Sequence, residues 1–190
     1  MPEIDVKQKV LAANQAAAAA LRDSFRDQRT LVVNLISSPG TGKTLLLDHV
    51  LEQVLFSDLD RVVLVLGHRA EEIRKGLKTP LDHPKLTILR NPEYEQGISS
   101  SLLCGLRQVE AQYEHVMVIL GDMPYITSDL INLLIRQYLA SGLPLGAVQT
   151  KKGRSHPVVL SRKFYGDLHQ LRGDVGARDL FSLFPEELCL

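Results

Sequence analysis

At 190 residues the chain has the length of one α/β domain, enough to bury roughly 70 % of its unfolded surface without disulfide or metal staples. Its 22 Lys and Arg balance 22 Asp and Glu, so bulk charge recommends neither nucleic acid nor an anionic membrane as partner. Cys104 and Cys189 stand in no metal-binding or redox spacing, the start carries no apolar leader, and no run nears the ~18 apolar residues of a membrane span; a small-molecule enzyme of the cytoplasm is the expectation.

Residues 4–28 are rich in alanine, with Val6, Val10, Leu11, Leu21 and Phe25 at helical spacing. They predict an amphipathic N-terminal helix, read as a docking or oligomerisation element ahead of a domain over 30–190. The chain then alternates. Strand "TLVVNLI" is followed by a helix over 44–56, strand "RVVLVLG" by a helix over 70–78, and "KLTILR" by a helix over 98–111; "HVMVILGD" closes the series. Near-continuous Val/Ile/Leu runs between amphipathic helices predict a mostly parallel sheet covered on both faces, a three-layer α/β/α Rossmann-like arrangement. A helix capped by Thr127 or Ser128 comes next, then two short strand-like pieces around a basic turn between 144 and 168, expected as a β excursion at the sheet edge. "LRGDVGARDLF" opens a last helix.

In such sheets ligands sit beyond the carboxyl ends of the strands, which selects the residues after each run. After the first strand, "SSPGTGKT" has the layout of a phosphate loop, with Gly42, Lys43 and Thr44 in place and Ser37 where the full pattern wants Gly. The amides of Gly40, Thr41 and Gly42, with Lys43 and Thr44, are its candidate phosphate ligands. Gly67 closes the second strand. "NPEYEQGISSSL" reads as a loop opening a helix whose free N–H groups favour an anion or a base carbonyl, with Asn91, Ser100 and Ser101 as candidates. Asp122 follows a buried strand, and a hard carboxylate there suits Mg²⁺ bridging triphosphate oxygens; the alternative is an Asp that caps a turn. Asp174 lies in a Gly-flanked loop before a helix, as a second metal carboxylate or a helix cap. His156, in "SHPVV", is a lone histidine on a strand edge.

Two resemblances attach to these residues. The stretch 1–47, with "VLAANQA" ahead of "SSPGTGKTLLL", resembles the N-terminal phosphate-loop part of hydrogenase nickel-incorporation GTPases, which implies GTP hydrolysis tied to nickel delivery. No Asn-Lys-x-Asp guanine motif and no Cys-His pair follows the loop. From about 48 to 184 the chain resembles the MobA-like nucleotidyltransferases, most closely the molybdenum cofactor cytidylyltransferases. The segments that carry this are "DHVLEQVL", "RVVLVLGHRAEEI", "NPEYEQGISSSLLCGL", "VMVILGDMPYIT", "HPVVLSRKFYGDL" and "LRGDVGAR". The resemblance implies transfer of CMP from CTP to a molybdopterin cofactor, with Asp122 and Asp174 as metal ligands, Asn91, Ser100 and Ser101 at the nucleotide, His156 on the cofactor side, and a molybdenum hydroxylase or its chaperone as protein partner. That family opens with "LAAGxSxRMGxxKxLLPxxGxPLL", and this chain does not. Lys43 and the loop amides would stand in, without the Arg, so CTP and GTP both stay open, as do a P-loop GTPase and a non-catalytic nucleotide-binding protein.

Overall fold

The computed structural model describes residues 30–37, 43–151 and 153–190. The predicted N-terminal helix lies outside the described residues, as do Gly40, Thr41 and Gly42. Four strands, β1 (Thr30–Ser37), β2 (Arg61–Leu66), β3 (Leu86–Arg90) and β4 (His115–Leu120), run parallel. With β5 (Leu145–Thr150), β6 (Gly153–Ser161) and β7 (Leu188–Cys189) they make one sheet ordered β3-β2-β1-β4-β6-β5-β7. The expected β excursion does not stay at the edge. β6 runs antiparallel between β4 and β5, because Pro157, Val158, Val159 and Leu160 are buried in succession and need cover on both sides.

Successive strand residues feed opposite faces, as the pleat requires. Val62, Leu64 and Leu66 of β2 and Met117 and Ile119 of β4 pack with helices α1 (Lys43–Phe56), α2 (Ala70–Gly76) and α4 (Ser128–Ser141). Val63, Val65, Val116 and Val118 pack with α3 (Ile98–Arg107), α5 (Tyr165–Gln170) and α6 (Ala177–Leu180). The result is the three-layer α/β/α arrangement expected, with both apolar layers closed. No helix among the described residues is long and apolar enough to cross a membrane.

Helix ends depart from expectation for identifiable reasons. α2 stops at Gly76 because Leu77 turns extended and the next two residues are claimed elsewhere: one carboxylate oxygen of Asp48 accepts from the amides of Lys78 and Thr79, both at 2.9 Å, and from the Thr79 hydroxyl at 2.8 Å. α3 ends at Arg107 and the chain tightens into turns closed by Val109 N–H on the Leu106 carbonyl at 2.9 Å. Thr127 caps α4 as expected, its hydroxyl accepting from the Leu130 amide at 3.2 Å.

Asp48 thus staples α1 to the loop that follows α2. Asp48→Ala leaves three donors without their acceptor and is expected to lower the unfolding free energy by about 2 kcal/mol, read as a lower urea midpoint at unchanged slope.

Candidate functional site

The register of the parallel strands aligns their carboxyl ends. Ser37 lies beside Leu66, Leu66 beside Arg90, and Ile36 beside Leu120, so the carboxyl ends of β1 to β4 lie along one rim, on which the loops after β2, β3 and β4 open. β6 runs the other way, with Val158 opposite Val118, and so brings its early residue His156 to that same rim. The backbone of Lys43, which opens α1 after the loop from β1, belongs there too.

Asp122 leaves β4 through a turn and is exposed, and its carboxylate accepts no hydrogen bond from the described residues. His156 is half-buried, with Nδ1 3.4 Å from the Val118 carbonyl. Burial, more than any charge, holds its pKa below the ordinary 6.5; the Val118 carbonyl opposes it, Arg178 adds to it, and Asp122 and Asp179 oppose it more weakly, which sets Asp122 and α6 around one histidine. His156 is therefore a neutral side chain at pH 7.

The loop after β3 is built from behind. Asn91 is 2 % exposed, and its amide nitrogen donates to the hydroxyls of Ser100 and Ser101, both at 2.9 Å, while its oxygen accepts from the Glu93 amide at 2.9 Å. These three expected nucleotide ligands spend their side chains on one another and fix the path of residues 91–97. The start of α3 is similarly engaged: the Ser99 amide donates to the Gly173 carbonyl at 3.1 Å and the Ile98 amide to Asp174 at 3.4 Å. Two of the N–H groups read as an anion site are thereby occupied from within the chain. Asp174 is exposed and caps α3 from a distant loop, whereas the helix that follows it, α6, is capped at Gly176, whose amide donates to Asp179 at 2.8 Å.

Two glycines allow this closure. Gly97 has φ of +97°, and a Cβ there would stand 2.3 Å from the carbonyl carbon of Gly173 and 2.8 Å from the Asp174 amide nitrogen. Gly67 is required for a different reason: a Cβ would come 2.5 Å from the Cβ of Tyr94, so the 91–97 loop lies directly on the end of β2. There Tyr94 meets His68, ring centroids 5.6 Å apart and the Tyr94 hydroxyl 3.2 Å from His68 Nδ1. Thr44, a candidate phosphate ligand, faces α2 with its methyl group, 3.0 Å from where a Gly76 Cβ would lie. Sequence reasoning passed over Tyr94, Gly97 and Gly173. The signal for Gly97 was its place directly before an apolar helix, and Tyr94 carried none.

Among the described residues no three His, Cys, Asp or Glu side chains gather to hold a metal. An unpartnered, exposed Asp122 fits a hard divalent ion that keeps water and takes phosphate oxygens for its remaining ligands. The site offers a rim carboxylate, a neutral histidine beside it, and a stiff loop over the neighbouring strand end.

Known proteins resemble the chain along most of its length. Residues 38–187 match the family described as the MobA-like NTP transferase domain, a match that begins inside the phosphate loop. The bifunctional protein GlmU of Shouchella clausii is 30 % identical over 104 residues, covering 55 % of this chain and 21 % of that protein. The molybdenum cofactor cytidylyltransferase of Escherichia coli K12 is 34 % identical over 70 residues, covering 37 % of this chain and 34 % of the relative. The chain thus spans about a fifth to a third of the length of these relatives. Among solved structures, a homolog of Rv0371c from Mycobacterium sp. strain JC1 superposes with a TM-score of 0.69 at 26 % identity, over 85 % of this chain and 84 % of that one.

Two outcomes follow from the site's geometry. Gly97→Ala forces a Cβ into the Gly173 backbone and is expected to cost about 3 kcal/mol, with lost hydrogen-exchange protection at the Ser99 amide. Because His156 titrates below 6.5 when folded, the unfolded chain takes up a proton that the folded protein refuses as pH falls through 6.5 toward the folded value. Stability is full above 6.5 and lost below it; the urea midpoint should drop between pH 7.5 and 5, and drop less in His156→Gln.

Proposed function

The chain belongs to the MobA-like NTP transferase family, and on that premise we propose that it transfers CMP from CTP to the phosphate of a molybdopterin cofactor, releasing pyrophosphate. One observation carries this reading: Asp122 presents a carboxylate free of the described residues at the carboxyl rim, beside the strand that leads into the phosphate loop. The match to the cytidylyltransferase supports CTP and the pterin acceptor. The family match takes in the phosphate loop from Ser38, which favours reading that loop as part of a transferase rather than a nickel GTPase.

The reaction is an in-line displacement. An oxygen of the acceptor phosphate bonds to the α-phosphorus of the nucleotide, and the bond from that phosphorus to the bridging oxygen of the β-phosphate breaks, with pyrophosphate carrying away the electron pair. Mg²⁺, when bound, would supply charge neutralisation to the transferring phosphates. Asp122 would hold that ion, with Asp174, which here accepts from the Ile98 amide, as the candidate second carboxylate. Lys43 and the amides of Gly40, Thr41 and Gly42 hold the triphosphate by charge and by backbone donation. His156, neutral and half-buried, shapes the acceptor side without adding a cation next to the metal ligand. The protein's contribution is position and electrostatics, with no covalent intermediate.

Pyrophosphate release, measured across the four NTPs with molybdopterin cofactor and Mg²⁺, tests the proposal. CTP should give the signal, and Asp122→Asn should lower it by about 10²-fold or more with the fold intact. Nucleotide binding with no pyrophosphate from any NTP would leave a binding protein instead.

A further inference from the structure

The ring pair on the end of β2 sets an exposed His68 against a half-buried Tyr94. Three separate devices fix Tyr94 there. The Asn91 network braces its loop from behind, the Gly97–Gly173 contact pins the far end of that loop, and Gly67 lets Tyr94 sit on the strand backbone. A fourth lies next door. Arg69, directly after His68, has φ of +54°, the left-handed region that a non-glycine residue occupies at a cost. Strain beside an over-braced ring pair whose His68 is exposed points to a ligand that uses the rings.

The hydrogen bonds say which atoms are available. The Tyr94 hydroxyl donates to Glu95 Oε1 at 3.2 Å, and a carboxylate can only accept. With its single proton so placed, the phenol oxygen can only accept from His68, and Nδ1 is therefore the protonated nitrogen of that ring. The Glu95 carboxylate also pushes the Tyr94 phenol above its ordinary 10.0, which keeps the proton in the relay. In the neutral imidazole of this exposed residue Nε2 then carries a lone pair. β2 lies two strands from β4, about 10 Å at the usual spacing, a span that a ribose bridges between a metal-held phosphate and its base.

We propose that the His68–Tyr94 pair is the nucleobase platform of this site, and that the bare Nε2 of His68 selects a base whose exocyclic amino group stands at the pyrimidine 4-position or the equivalent purine 6-position. Cytosine and adenine offer that donor; uracil and guanine set a carbonyl oxygen there, which meets a lone pair with a lone pair. The platform favours CTP over UTP and GTP without the absent first-loop motif. This inference rests on the transferase reading above, in that the nucleotide phosphates must lie by Asp122.

Titration calorimetry of the full chain with Mg²⁺ and either CTP or UTP tests it, since the two differ at the 4-position and in the N3 proton that goes with it. Wild type should bind CTP at least about tenfold more tightly than UTP. His68→Phe keeps a ring and removes Nε2, so it should hold UTP affinity within about twofold and bring the ratio near one. Tyr94→Phe keeps the ring and breaks the relay, and should lower the ratio part of the way; Tyr94→Ala should weaken both nucleotides. Equal binding of CTP and UTP by wild type, or an unmoved ratio in His68→Phe, overturns the platform. The two readings fail separately: nucleotide affinity that ignores Asp122→Asn overturns the transferase site, whereas Asp122-dependent binding with an unmoved ratio overturns the platform alone.

Discussion

The rim of this sheet depends on one contact between two backbones. Gly97 and Gly173 approach so closely that no side chain fits between them, and through that approach the loop after β3 and the loop before α6 become one unit. From it follow the Ser99 and Ile98 hydrogen bonds, the position of Asp174, and the stiffness that holds Tyr94 against the end of β2. Neither loop has an apolar core of its own, so backbone contact does what packing does elsewhere.

Chemistry at the rim divides by what is spent and what is left over. Asn91, Ser100 and Ser101 are buried or half-buried polar groups that satisfy one another, as groups withdrawn from water must. Asp122 is left without such a partner among the described residues, and His68 is exposed on the same rim. A site of this kind separates its scaffold from its reagents: polar residues behind, unpartnered ones in front.

How much of this the sequence disclosed differs by level. The three layers and the parallel half were legible because the Val/Ile/Leu runs of β2 and β4 are unbroken and the intervening segments have helical spacing. The rim position of Asp122 was legible for the same reason, since a residue ending a buried strand has one place to go. The position of β6 was not, because local pattern says that a run is buried but not which strands bury it. The cap that Asp174 places on α3 joins residues 76 apart in sequence, and no periodicity reports that. The α2 boundary was missed for a related reason: helix propensity runs on past Gly76, and a carboxylate from α1 overrides it.

The antiparallel insertion of β6 also bears on how such a chain diversifies. Strands β1 to β3 are laid down side by side and the chain then crosses back to place β4 on the other side of β1, while β5, β6 and β7 form a separate patch joined to them along one ladder, from His115 opposite Ser161 to Val118 opposite Val158. That seam is short, four residue pairs long, and its backbone hydrogen bonds are met whichever buried apolar side chains flank it. The antiparallel patch can therefore be rewritten over generations while the parallel half stays constant, and the fold becomes a fixed socket with an exchangeable second jaw.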